Sequence, residues 1–315
     1  MKTDLINLAG VLVALALAIA GGALRTDEVQ RTPPSVHNAL TPVQLADGSR
    51  ALRDARGALI PLRPYTRIAS GTLISDRVLL DLCEPGRIVA FTQYAAATPQ
   101  GYRYQGKPTI GARDDIERVL GLQPELMIVS DLIDPNYAAR LRERGVQVFD
   151  IGPMHGLTTL LTSIRAIGWL IGEPERAERY AASLEARLVA LAPGPKGART
   201  LYLARYGDKL FAAGAQTSYH EVIEFAGLRD AAAERDLVGW PELTSEGVLA
   251  IDPDLLLTRT GMSASLCRHP GLDQLRPCQP GGRILELDGA LLDDPGPTML
   301  EAAEALRRAY VGAHP

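Results

Sequence analysis

One stretch occurs twice in this chain, and it restricts the architecture more than any other feature. Residues 117–131 read ERVLGLQPELMIVSD, and residues 246–260 read EGVLAIDPDLLLTRT. The two align without a gap. Glu117 matches Glu246, Val119 matches Val248, Leu120 matches Leu249, Pro124 matches Pro253 and Leu126 matches Leu255. Each copy describes a short helix with apolar residues turned to a core, a proline that breaks it, and an apolar run that enters a sheet. The runs leave the sheet at Ser130 and Asp131 in one copy, and at Thr258 and Arg259 in the other. Open α/β sheets bind ligands just beyond the carboxyl ends of their strands. Two copies in two halves therefore predict two similar lobes with a cleft between them.

The segments around the copies alternate strand with helix at short spacing, which predicts parallel sheets covered on both faces. In the first half, strands are expected over 67–70, 87–91, 126–129 and 146–151, and helices over 75–82, 114–122 and 136–144. The middle is helical. Leu160, Leu161, Ile164, Ile167 and Leu170 share one side of a helix over 157–171, Gly172 ends it, and Pro174 suits the first turn of the next. That second helix runs to about Leu191, a rod of about 27 Å that can join two lobes. The second half repeats the rhythm, with strands over 200–206, 255–258 and 283–287. Its helices are expected over 218–226, 245–251, 272–275 and 298–310. The fold class is thus α/β, with two Rossmann-like lobes joined by a long interlobe α-helix. The boundaries are a signal peptide over 1–25, a linker and N-terminal hairpin over 26–64, an N-terminal lobe over 65–155, a helical connector over 156–192 and a C-terminal lobe over 193–315.

The N-terminus reads as an export signal. Lys2 precedes an uncharged run over 5–24, and Ala18, Ala20 and the Gly21-Gly22 pair offer small-residue cleavage sites. The other reading is an uncleaved anchor, since about 20 apolar residues span a bilayer. Either way the body is expected in the periplasm. Export changes how cysteine is read: Cys267 and Cys278, eleven positions apart, are expected to pair in an oxidising compartment, the alternative being two free thiols. Cys83 is expected as a buried free thiol. A net charge of -4 leaves no electrostatic footprint for nucleic acid. After a polar linker, the 44–62 stretch is expected to form a hairpin of two strands around turns at Asp47-Gly48 and Arg56-Gly57.

In this order the segments resemble the helical-backbone class of periplasmic substrate-binding proteins that serve ABC importers, whose best-known members bind cobalamin, ferric siderophores or haem. The resemblance rests on DARGALIPLRPYTRIAS, DIERVLGLQPELMIVSD, GVQVFDIGP, GEPERAERYAASLEARL, AGAQTSYHEVIEFAGL and WPELTSEGVLAIDPDLLLT, and spans residues 46–310. It implies a large metal-containing chelate held in the interlobe cleft, no intrinsic cofactor, and an ABC permease with its ATPase as partners. No metal site of the protein's own is expected, because no HxxxH or HExxH spacing occurs; the alternative is one His and one carboxylate from each lobe meeting. It also implies that one glutamate on each lobe docks with basic residues of the permease; the matching positions are Glu117 and Glu246. The other reading of both is a solvated acid stabilising a helix start. The chain departs from the family pattern after its first strand, where SGTLISDRVLLDL lacks the usual Pro- or Ser-rich turn. The protein is expected to act as a monomer.

Ligand contacts should come from strand ends: Thr72, Tyr94, Asp131, Met154 and His155 in the first lobe, and Tyr206, Tyr219 and Arg259 in the second, with Met262 and the rim stretch Tyr102, Arg103, Tyr104 as further candidates. Aromatic rings can cover a macrocycle, and arginine can pair with carboxylates. His155 could ligate haem iron; His220 reads as a hydrogen-bonded structural group. The rival reading is an enzyme, such as a chelatase on a similar bilobed fold. Yet the chain has no GxSxG elbow, no GxxxxGK[ST] loop, no GxGxxG and no HExxH, and Asp293-Asp294 reads as turn and cap chemistry. No catalysis is expected. A third reading is a signalling or scaffold module that carries no transport ligand.

Overall fold

The computed structural model describes residues 40–97, 100–111, 116–130, 134–191, 197–294 and 296–312. The expected export signal and the linker after it, to residue 39, therefore lie outside the described residues. The chain first forms a small antiparallel sheet of β1 (Pro42–Gln44), β2 (Arg50–Arg53) and β3 (Leu59–Pro61). Two turns join three strands, so the expected two-stranded hairpin gains a strand before Asp47-Gly48. Glycines at φ +82 and +88, Gly48 and Gly57, make both turns. Two ion pairs fasten this sheet to the body: the carboxylate of Asp54 to Arg142, and Asp150 to the Arg56 guanidinium.

The first lobe contains β4 (Ile68–Ser70), α1 (Leu73–Leu82), β5 (Ile88–Thr92), β6 (Thr109–Ile110), α2 (Ile116–Gly121), β7 (Leu126–Val129), α3 (Pro135–Glu143) and β8 (Gln147–Asp150). Its five strands are all parallel, in the order β6-β5-β4-β7-β8. Strands β4 and β7 are neighbours whose connections leave in opposite directions, which makes a switch point at their carboxyl ends. Gly71 follows β4 there. Its N–H donates to the Ile128 carbonyl oxygen at 2.8 Å, and a Cβ on it would lie 2.9 Å from that oxygen. The β4 turn can lie this close to β7 only with glycine.

Two helices follow, α4 (Leu157–Ile171) and α5 (Pro174–Ala190). Seventeen residues give α5 a length of about 26 Å. Its first half meets the first lobe: Arg176 donates to the Leu82 carbonyl, and the Tyr180 hydroxyl to Asp81. Its far end meets the second lobe: Arg187 pairs with Glu304, and Arg307 donates to the Leu191 carbonyl. The rod spans both lobes.

The second lobe comprises β9 (Arg199–Tyr206), β10 (Lys209–Ala212), α6 (Ser218–Phe225), β11 (Arg229–Asp230), β12 (Glu242–Leu243), α7 (Ser245–Ile251), β13 (Leu255–Arg259), α8 (Ser263–Cys267), β14 (Ile284–Leu287), α9 (Gly289–Leu292) and α10 (Thr298–Gly312). Parallel β9-β13-β14 reproduce β4-β7-β8, so the duplicated sequence occupies equivalent places in two sheets. Parallel β11 pairs with the start of β9, while antiparallel β10 and β12 extend from its end. The second sheet is thus mixed, where a purely parallel one was expected. The stretch expected as a helix over 272–275 is a single 3-10 turn, Leu272–Gln274. Cys267 and Cys278 are bonded to each other, and Cys83 is a buried free thiol. The main core runs through both sheets and both connector helices, from Ile68 and Val78 through Leu160 and Ile164 to Tyr202, Met299 and Leu306. No helix among the described residues is long and apolar enough to cross a membrane.

Candidate functional site

A cavity of about 1190 Å³ lies beyond the carboxyl ends of both sheets. Seven of the eight expected contact residues line it: Thr72, Tyr94, Met154, His155, Tyr206, Tyr219 and Arg259. Asp131 lies outside the described residues. Each lining position follows from the strand that delivers it. Gly71 and Thr72 follow β4, Thr92 ends β5, Ser130 follows β7, Tyr206 ends β9 and Arg259 ends β13.

The described first-lobe wall carries no Asp, Glu, Lys or Arg, and sets Thr72, Thr92 and Ser130 among Leu73, Ile74, Ile110, Met127 and Met154. Thr72 caps α1: its hydroxyl accepts the Ser75 N–H at 3.0 Å, and its own N–H donates to the Ser75 hydroxyl at 3.3 Å. The residue expected as a ligand contact therefore also starts a helix. Met154 and His155 sit on the loop between β8 and α4, where the His155 N–H donates to the Thr159 hydroxyl at 3.1 Å and its ring is exposed. Behind this wall, buried Asp76 accepts both the N–H and the hydroxyl of Thr92.

Burial pushes the Asp76 carboxyl from its ordinary 3.8 up to about 6, and neighbouring Asp294 adds to the rise. Asp294, also buried, is itself pushed up by desolvation. The folded state then holds the Asp76 proton where the unfolded chain has lost it. Stability from this group is complete below pH 4 and is lost as pH rises through 6. An Asp76→Asn variant should lack this dependence. Between pH 4 and 7 its stability, read by urea unfolding, should fall by about 2 kcal/mol less than that of the parent. Parallel curves would refute the assignment.

The second-lobe wall is aromatic. The Tyr219 ring lies 4.3 Å from Tyr202 and 4.8 Å from Trp240, centroid to centroid. Tyr219 itself is only 4% exposed, so it backs the wall, while Trp240 and Tyr206 are 49% and 53% exposed. Phe211 packs edge-on against Tyr206 at 5.9 Å. Arg259 is the only lysine or arginine among the described lining residues, and it is neutralised in place. Its Nη2 lies 2.9 Å from Asp293 Oδ2, its guanidinium lies over the Tyr206 ring, and the Tyr219 hydroxyl donates to the same Asp293.

Some expectations change. Asp293 and Asp294 do make a turn, Asp294 accepting the Gly296 N–H, but both also line the cavity. Met262 and the rim stretch are not among the lining residues: Tyr104 is buried edge-on against Phe91, Arg103 pairs with Asp81, and Tyr102 is solvent-exposed. His220 bonds Asp230 at 2.8 Å, which raises its pKa, and takes the expected structural role. Sequence reasoning passed over Trp240, Phe211 and Gln216; Trp240 carried a signal, since it opens the quoted WPELTSEGVL segment. Glu117 and Glu246 are both exposed, each in the first turn of its helix, and neither lines the cavity. The backbone N–H of Glu246 and the Thr244 hydroxyl hold its carboxyl below the ordinary range. No cluster of three or more His, Cys, Asp or Glu able to hold a metal ion occurs among the described residues.

Two similar α/β lobes, a connector helix that meets both, and a cavity at the strand ends define a two-lobed binding protein. The chain belongs to the periplasmic binding protein family, whose model matches residues 68–286. It is 26% identical over 271 residues to a cobalamin-binding protein of Halobacterium salinarum, spanning 81% of this chain and 68% of that one. It is 21% identical over 202 residues to YvrC of Bacillus subtilis, described as an ABC transporter substrate-binding lipoprotein, spanning 61% and 63% of the two chains. Its fold is similar to that of the haem-binding protein RhuT of Roseiflexus sp. RS-1, with a TM-score of 0.69, 28% identity, and coverage of 78% of this chain and 98% of that one.

Proposed function

We propose that this protein is the solute-binding component of an ABC importer, and that it captures a macrocyclic metal chelate, a corrinoid such as cobalamin, and delivers it to the permease. The observation that carries this reading is the cavity wall. At about 1190 Å³ the cavity exceeds the roughly 300–1,000 Å³ of ordinary small-ligand pockets. Its aromatic side can cover an apolar ring face, and the facing side is mostly apolar too, through Leu73, Ile74, Ile110, Met127 and Met154. The one guanidinium among its described lining residues is already paired, with Asp288, Asp293 and Asp294 close by. Such a wall suits a nearly neutral cargo and disfavours a multiply anionic ferric siderophore. Similarity to the Halobacterium protein supports the same choice.

A second reading, haem, is favoured by His155, whose exposed imidazole lies at the cavity and could ligate iron. The RhuT fold supports it. Titration with cyanocobalamin and with hemin, followed by absorbance, separates the two. Under the corrinoid reading, Trp240→Ala should weaken cyanocobalamin about 30-fold, the effect of losing an aromatic anchor worth about 2 kcal/mol. His155→Ala should then leave the cobalamin spectrum unchanged. A shifted Soret band on His155→Ala, with no cyanocobalamin binding by the parent, transfers the conclusion to haem. Failure to bind either leaves the scaffold reading standing, and turnover of either would support the enzyme.

Delivery would use Glu117 and Glu246. Helices in these lobes run antiparallel to the strands they feed. The first turns of α2 and α7 therefore face the carboxyl-end pole, where the cavity opens. An acid on each side of the opening suits paired arginines on a membrane partner.

A further inference from the structure

The loop closed by Cys267 and Cys278 lies against the helix that carries Glu246, and it grips that helix at both ends. At the N-terminal end, the Ser245 hydroxyl donates to the Pro270 carbonyl oxygen at 2.7 Å and lies 3.3 Å from His269 Nδ1. Gly271, at φ +86, passes so close that a Cβ on it would meet Ser245 Cβ at 3.1 Å. At the C-terminal end, Arg276 Nε donates to Asp252 Oδ1 at 3.0 Å, and its Nη2 lies 3.0 Å from Asp254 Oδ1. Beneath the loop, Leu266, Leu272 and Leu275 share a core with Val248 and Ile251 of α7.

A seven-residue helix is too short to hold itself, because nucleation costs more than so few hydrogen bonds return. Its geometry must come from its neighbours. We propose that the 267–278 disulfide loop is a positioning device for the docking acid. It fixes α7, and with it the direction of the Glu246 carboxylate, before the protein meets its transporter. This rests on the docking reading of Glu246. The bond lowers the freedom of a loop whose own regular structure is one 3-10 turn on each side of Leu275. None of the residues in the grip lines the cargo cavity, so positioning and cargo binding are separable.

The test uses the full chain and the permease–ATPase complex in nanodiscs, with docking affinity read by interferometry and cargo affinity by titration with cyanocobalamin and hemin. Cys267→Ser with Cys278→Ser should weaken docking roughly 3- to 30-fold, the span of indirect coupling effects. Cargo affinity should stay within about twofold, and hydrogen exchange should rise at amides of residues 245–252. Arg276→Ala keeps the bond and removes one grip; it should weaken docking in the same direction, and it covers the case in which the double-serine chain folds poorly. Glu246→Lys is the reference. If Glu246→Lys abolishes docking while both other variants dock normally, the positioning role is overturned. If Glu246→Lys itself docks normally, the docking reading fails first and takes this inference with it.

Discussion

Replacing Glu117 and Glu246 together by lysine should reduce importer-driven uptake roughly a thousandfold while leaving cargo affinity within about twofold. The size comes from two independent contacts. Removing one partner of a buried charge pair across an interface costs about 2–5 kcal/mol, and distant sites add. If the proposed docking surface is basic, reversal also places like charge against it. The carboxylates are suited to this role by their chemistry. Both stand exposed in first helical turns, and the local donors around Glu246 keep its carboxyl ionised through the physiological range. The folded state should tolerate the change, because moving a cation into a first turn costs about 0.3–1 kcal/mol at each site. Circular dichroism and cargo titration separate a folding defect from a docking defect. Normal uptake kinetics by the double variant would remove both residues from the interface.

The duplicated architecture was legible because its signal is local. Val119 and Val248, Leu126 and Leu255, and the prolines between them carry period and punctuation within fifteen residues. The ends of β7 and α7 coincide with the expected ones for that reason. Strand ends were equally legible as places, which is why Thr72, Tyr206 and Arg259 meet at one cavity. What escaped depends on partners distant in sequence. Asp293 has no local mark of importance; its role follows from Arg259, 34 positions away, and Tyr219, 74 positions away. The antiparallel strands β10 and β12 are four and two residues long, too short to show alternation. Tyr104 looked like a rim aromatic until Phe91 supplied a buried face for it.

Gly156→Ala should destabilise the protein by about 3–6 kcal/mol, a large part of the total of a typical domain. The site joins the two lobes. Leu157, the first residue of α4, donates its N–H to the carboxylate of Glu221 on α6, so a second-lobe acid caps the connector. An anion there is favoured by the free N–H groups and by the dipole of a fifteen-residue helix. Burial raises the Glu221 pKa, and the Leu157 N–H offsets part of that rise. Gly156 makes the contact possible in two ways. Its backbone, at φ +116 and ψ −156, occupies a region that costs other residues about 1–3 kcal/mol. A Cβ on it would lie 2.2 Å from the Glu221 carboxyl carbon, so the acid must move and the capping bond, worth about 1.5–3 kcal/mol, is lost. Glu221→Ala alone isolates the second contribution. The double variant should cost less than the sum of the singles, because the alanine then removes a bond that is already gone. His155 precedes Gly156 on the cavity wall, so the same change should weaken cargo binding as the loop shifts. Urea midpoints for the three variants decide the matter: strict additivity would mean that Gly156 and Glu221 do not share the contact, and a cost below about 1 kcal/mol for Gly156→Ala would mean that the lobes are held together elsewhere.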